Sequence, residues 1–330
     1  MRQDQSIRAD QVDAGAPAQP GSEDDVAVGK SPWQLFWRRF KRDKFALVGG
    51  VLIILLIAIA LLAPLIAKMV GHGPNELFDN ATNEFGLPIG PSSKFWFGAD
   101  RSGRDVFVRT IYGARTSLAV AFLATGIATA IGVTLGVIAG YIGGSVDTVI
   151  SRLIDVVLSL PLLLFALGIS AACSVAKNGC LHGLVQPGLR LVVFIIALFT
   201  WPYLARIVRG QVLSLREREF IEASHSMGAG EWRIMFADIL PNLAAPIIVY
   251  TTLIIPSNIL FEAALSFLGV GIPQTTPSWG RMLADASNSQ LFTYAWWMML
   301  FPGIFLLVTT LAFNLLGDGL RDALDPRSRR

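Results

Sequence analysis

The chain has 330 residues, of which 53% are hydrophobic and only 15% charged, against about 25% charged in ordinary soluble domains, so the composition points to a membrane protein. Its 27 Lys and Arg nearly balance 24 Asp and Glu, and no basic stripe interleaved with aromatics is present, which argues against nucleic acid as a partner. Three histidines stand apart at positions 72, 182 and 225; with neither cysteine in a CxxC pattern, no metal-site spacing exists.

Residues 1–30 are rich in Asp, Gln, Ala, Gly and Pro and nearly lack large apolar side chains. Such a segment cannot bury enough surface to offset its ordering entropy, so a disordered tail is expected. Next come Lys30, Arg38, Arg39, Lys41, Arg42 and Lys44, opposed by Asp43 alone. The run 45–67 carries no charge and exceeds the roughly 20 apolar residues that cross a bilayer. It is too long for a signal-peptide core and follows a long polar tail, so it reads as a retained helix. Five further candidates follow at residues 116–141, 150–172, 191–208, 242–261 and 294–316. The expectation is an all-α membrane protein of six spans. Its parts are the tail, a basic segment with the first span (31–68), an external loop with an interfacial segment (69–115), a five-helix core (116–317) and a C-terminal tail (318–330).

Six spans put both termini on one side, and the basic cluster before the first span places that side in the cytoplasm by the positive-inside rule. The connection between the fourth and fifth spans agrees, with Arg209, Arg216, Arg218 and Arg233, as does the tail with Arg321, Arg327, Arg329 and Arg330. The external loop holding Cys173 and Cys180 has only Lys177 and Arg190. In an oxidising exterior those two cysteines could form a disulfide. The loop after the first span is the exception, with Lys94, Arg101, Arg104, Arg109 and Arg115. Its length lowers its weight in the rule. Arg104 and Asp105 are expected to pair there, beside glycines that permit a tight entry into the second span.

Along the second span Ala124, Ala128, Gly132, Gly136 and Gly140 fall every fourth residue, on one face, where small side chains let helix backbones approach in lipid. Prolines at 161, 202, 246, 256 and 302 are tolerated kinks. Asp155 and Glu262 lie close to the predicted interfaces, where each is expected to be solvated or to cap a helix. The lack of deeper carboxylates weighs against a proton-coupled transporter.

The connection 209–241 reads as two short helices and a turn. Residues 219–227 are helix-compatible, Gly228 and Gly230 supply a stop, and 231–240 resume a helical pattern until Pro241. Phe220, Ala223 and Met227 share one side at spacings of three and four, so a partly apolar knob should face the cytoplasm. An amphipathic helix lying on the membrane is the alternative. His225 within it suits a neutral surface role.

Catalytic motifs are absent from the sequence. Gly29-Lys30-Ser31 imitates the end of a phosphate loop, but its first glycine would fall at Asp24 and no strand precedes it. Neither a GxSxG elbow nor a HExxH pair occurs. The chain therefore reads as a non-catalytic subunit.

Glu222-Ala223-Ser224, Gly228 four residues later, and Ile239-Leu240-Pro241 resemble the EAA loop of binding-protein-dependent ABC permeases, with Ser224 in place of the usual second Ala. Several other stretches resemble the C-type subunit of dipeptide, oligopeptide and nickel permeases. They are Trp37 to Lys44, Phe97-Gly98-Ala99-Asp100-Arg101-Ser102-Gly103-Arg104-Asp105-Val106, Leu265 to Gly269, Pro277-Ser278-Trp279-Gly280, and Gly317 to Arg327. The resemblance implies the permease fold of type I ABC importers in a bacterial inner membrane. It also implies a coupling helix, made here of Phe220, Glu222, Ala223, Ser224, Met227 and Gly228, that sits in a groove of an ATPase. Implied partners are a B-type permease subunit, two ATP-binding subunits that carry ATP and Mg, an extracytoplasmic substrate-binding protein, and short peptides as cargo, with no cofactor in this chain. Nickel or glutathione import is the alternative within that fold. A proton-coupled transporter working alone, or a membrane scaffold, is the alternative outside it.

Overall fold

The computed structural model describes residues 32–175, 180, 185–288 and 293–324. The expected disordered tail, the Gly29-Lys30-Ser31 stretch, His182 and the last residues of the C-terminal tail lie outside these. Among the described residues the chain is helical apart from loops and three isolated bridges.

Helix α1 spans Pro32–Phe40 and α2 spans Lys44–Val70. Asp43 separates them because its carboxylate accepts from the amides of Phe45 and Ala46, satisfying donors that a helix start leaves free. Gly71, at φ +79°, ends α2 in the left-handed conformation. Helix α3 runs Val106–Ile142, about 55 Å at ~1.5 Å per residue. It begins ten residues before the predicted start at 116, since Asp105 caps it through the amides of Phe107 and Val108. Arg109 marks no loop: it lies in the first turn of α3, only 1% exposed, because protein oxygens satisfy it.

The predicted span 150–172 is not one helix. It divides into α4 (Gly144–Ser159) and α5 (Leu162–Val175), bent by 85° at the break. Pro161 lacks an amide hydrogen and disfavours helical backbone at the residue before it; Leu160 is accordingly extended, at φ −74°, ψ 132°. Helix α6 (Leu189–Leu215) continues past its predicted end, and Pro202 bends no break into it. The elbow comprises α7 (Glu219–Ser226), α8 (Glu231–Arg233), a π-helical stretch Ile234–Ile239 and α9 (Leu240–Asn242). Pro241 therefore sits inside α9 and does not end the second helix of the elbow. A π turn just before a proline widens the helix where the ring would collide with the preceding turn. Helices α10 (Ala244–Phe267), α11 (Trp279–Asn288) and α12 (Trp297–Leu324) complete the fold.

Among the described residues five helices are long and apolar enough to cross a membrane, and six spans result if α4 and α5 count as one. Helix α3 is the axis: it packs on α6 most extensively and also on α2, α10, α4, α11 and α12. The small-residue stripe makes the main contact. A Cβ added at Gly132 would stand 2.8 Å from the Trp201 carbonyl, and one at Gly136 would stand 2.7 Å from the Ala205 carbonyl. At Gly140 it would meet Val212 at 2.8 Å. On the far side, α2 exposes Val51, Ile54, Leu55, Leu61, Leu62 and Leu65, a wholly apolar face suited to lipid.

Candidate functional site

Helix α7 and the turn after it form the site. Glu219 and Glu222 occupy its first turn and His225 its last, the polarity that a helix dipole favours. The helix closes when the amide of Met227 donates to the Ala223 carbonyl and that of Ala229 donates to the Ser224 carbonyl. This closure needs Gly228 at φ +80°, a left-handed position that glycine takes without strain.

The anchoring side of α7 is Ile221, 2% exposed, packed with Ile234, Met235, Ile239 and Leu243 of the elbow and with Val137, Leu204, Val208 and Val212 of α3 and α6. The opposite side is a protruding apolar surface. Phe220 is 42% exposed and Met227 80%, while Glu222 and Ala223 are exposed and Ser224 half-buried. Trp232 joins them at 68% exposure, stacked on Phe236. The elbow is braced from behind: His225 meets the Tyr141 hydroxyl at 3.1 Å, and Arg216 donates to the Gly140 carbonyl at 3.2 Å. Arg209 donates to Asp147 through both Nε and Nη2, joining α6 to α4.

The other sequence-selected groups cluster at the opposite ends of the helices. Arg104 and Asp105 are neighbours that do not pair with each other, contrary to the expectation. Arg104 bonds Asp100 at 2.6 Å, and the Asp105 carboxylate, already capping α3, meets His72 Nδ1 at 2.5 Å. Adjacent residues in an extended stretch point apart, so each finds a partner on a different side. Arg109 donates to the carbonyls of Pro74 and Gln274 and to Asn75, stitching the loop after α2 to the loop before α11. Asp285 and Arg281 of α11 extend the network. Asp100, Arg104, Gln274, Arg281 and Asp285 line a polar pocket of about 160 Å³.

Glu262 also departs from its expected exposure or capping role. It is fully buried and accepts hydrogen bonds from Ser117 at 3.0 Å and Ser266 at 2.8 Å, while the Trp279 amide donates to Ser117. A buried carboxylate therefore does exist in the bundle, and it serves as a polar knot tying α3, α10 and α11. Asp155 is half-exposed and pairs with Arg206 at 2.7 Å. Cys173 and Cys180 are disulfide-bonded, with Cα atoms 5.0 Å apart. No group of His, Cys, Asp and Glu fit to hold a metal occurs among the described residues. Sequence reasoning missed Ile221, whose isoleucine fits the 3–4 spacing of the opposite face, and Trp232, whose exposure no local pattern signals.

The family model for binding-protein-dependent transport system inner membrane components matches residues 132–330. The chain belongs to that family. The N-terminal part of this permease matches a second model, the N-terminal TM domain of oligopeptide transport permease C, over residues 31–84. Similar proteins include the dipeptide transport system permease protein DppC of Alkalihalophilus pseudofirmus, 42% identical over 95% of both chains. The glutathione transport system permease protein GsiD of Salmonella typhimurium is 41% identical over 90% of this permease and 91% of that protein. The MetNI methionine ABC transporter in inward-facing form superposes with a TM-score of 0.53 over 67% of this chain and 96% of that one, at 18% identity, a likeness of fold alone. The all-helical permease is thus an ABC importer membrane subunit with the type I fold, and a transporter working alone is set aside on family grounds.

Proposed function

We propose that this permease forms half of the translocation path of an ATP-driven importer of short peptides, with α7 as the helix that receives work from an ATPase subunit. The observation that carries this reading is the two-sided build of the elbow: Ile221 is buried in the apolar cluster that the 234–239 stretch shares with α3 and α6, while Phe220, Met227 and Trp232 stand exposed. Exposed apolar residues on a braced elbow fit a docked protein surface. A lever of this kind must be stiff and must join elements that can move between two positions. The membrane-surface alternative fits less well, because Glu219 and Glu222 share the short helix with the apolar side chains.

In the assembly we infer, a B-type permease completes the pore and two ATP-binding subunits sit on the cytoplasmic side with both termini. A binding protein delivers cargo from outside. Glu222, Ala223, Ser224 and Gly228 belong to the docking surface, and Cys173 and Cys180 then face the oxidising side. Relatives named for dipeptide and for glutathione transport stand at nearly equal identity, so glutathione is the second cargo to try. Co-reconstitution of the permease with its partners in proteoliposomes tests this reading. ATP-dependent uptake of a labelled dipeptide is expected, and uptake that persists without the ATPases but collapses with the proton gradient would refute it.

A further inference from the structure

The polar pocket beside the first turn of α3 carries a charge imbalance. The guanidiniums of Arg104, Arg109 and Arg281 share two carboxylates there, Asp100 and Asp285. The exposed Arg101 lines the same pocket. Among the described residues the cluster thus holds four positive groups against two negative ones. Both carboxylates are already engaged. Oδ1 of Asp100 accepts from the amides of Ser102 and Arg104, and its Oδ2 accepts from Arg104 Nε at 2.6 Å, with Arg109 Nε at 3.6 Å. Oδ1 of Asp285 pairs with Arg281 Nη2 at 3.0 Å and accepts from the Gln274 side-chain amide at 3.2 Å.

One donor is left over. Nε of Arg281 is buried and meets no acceptor among the described residues, although the Gln274 carbonyl takes further N–H groups of Arg104 and Arg109. A buried N–H without an acceptor has lost its hydration and gained nothing in exchange. Surplus guanidinium charge in a largely buried cluster is likewise disfavoured unless an anion compensates it. Both costs fall on the walls of one cavity, and at about 160 Å³ it has room for a group larger than a single water. A carboxylate would answer both at once, since it brings the missing charge and the missing acceptor.

We propose that this pocket seats a carboxylate supplied by an acidic side chain of the binding protein. The fork of Arg281 matches a carboxylate through paired N–H donors, and the exposed Arg101 adds long-range attraction for an acidic partner. Position selects the source. Arg109 of the pocket's wall stands in the first turn of α3, whereas Tyr141 in its last turn touches His225 of α7. With α7 against the ATPases, the pocket faces the side from which the binding protein arrives. This inference rests on the importer reading above and adds one docking contact to it.

The test titrates the cognate binding protein onto the full assembly in nanodiscs at fixed ionic strength. Arg281→Gln and Arg101→Glu are each expected to weaken binding at least fivefold. Arg101 is exposed, so its variant should keep the parent melting temperature and decides the matter if Arg281→Gln folds poorly. Acetate in place of chloride should weaken binding to the parent and change binding to Arg281→Gln less. Scanning the binding protein's Asp and Glu residues to Lys should find one that restores binding to Arg101→Glu. Parent affinity in both variants overturns the proposal. So does lost peptide uptake with intact binding-protein affinity, which would give the pocket to the cargo's own carboxylate. A parent assembly without ATP-driven uptake refutes the importer reading itself; normal parent uptake with unchanged affinities in the variants refutes only this site.

Discussion

The Tyr141 hydroxyl stands 3.1 Å from Nε2 of His225, so the last turn of α3 touches the exposed helix α7 directly. Helix α3 packs on every other long helix of the fold, so under the proposed coupling role a push on α7 would reach the bundle through Tyr141 and Ile221. Removing one exposed hydrogen bond costs about 0.5–1.5 kcal/mol. Tyr141→Phe is expected to lower uptake per ATP hydrolysed a few-fold while the assembly still forms. A measured coupling ratio equal to the parent would show that this contact transmits nothing.

Ile221 and Phe220 are adjacent in sequence and opposite in role. Ile221→Asp buries an unpaired charge and should destabilise the elbow by about 3 kcal/mol or more, visible as lower melting temperature and lost ATPase co-purification. Phe220→Ala removes only an exposed side chain; it should leave melting unchanged and weaken co-purification.

The α3 and α6 contact makes a sharp contrast between two glycines of one helix. Gly136→Val forces side-chain atoms against the Ala205 carbonyl and Val208, overpacking that costs about 1–3 kcal/mol. At Gly126 an added Cβ meets nothing within 4 Å, so Gly126→Ala should leave the helix intact and raise stability by up to about 1 kcal/mol. Thermal unfolding in detergent measures both.

Arg104 and Asp105 offer a test against the pairing that their adjacency suggests. Since Arg104 meets Asp100 and Asp105 meets His72, the double exchange of Arg104→Asp with Asp105→Arg should not rescue the single variants. Asp105→Ala also removes the α3 cap, at about 1 kcal/mol. Recovery of expression and melting in the exchange would return the pair to direct contact.

Glu262 separates hydrogen bonding from charge. Glu262→Gln keeps an oxygen for the Ser117 and Ser266 hydroxyls and should fold, whereas Glu262→Leu strands them in the interior, at about 1–3 kcal/mol. Equal melting of the two variants would remove the role of the polar knot.

Much of this architecture was legible in the sequence because lipid-crossing helices announce themselves by length and apolarity, as residues 45–67 do. The elbow was legible too, since Gly228 and the spacing of Phe220, Ala223 and Met227 encode a turn and a face locally. What was not legible depends on distant partners. Arg109 looks like a loop residue until Pro74, Asn75 and Gln274 surround it. Glu262 looks like an interfacial acid until Ser117 of α3 and Ser266 of its own helix converge on it, and a proline by itself does not say whether the helix breaks, as at Pro161, or passes through by a π turn, as before Pro241.

The central claim is that the protruding face of α7 meets an ATPase on the cytoplasmic side. The most direct measurement is labelling of Met227→Cys, in a Cys173→Ser and Cys180→Ser background, with a membrane-impermeant thiol reagent in intact cells and in inverted vesicles, with and without the ATPase subunits. Labelling in inverted vesicles alone, suppressed when the ATPases are bound, is predicted. Labelling in intact cells, or labelling that the bound ATPases leave untouched, would contradict it.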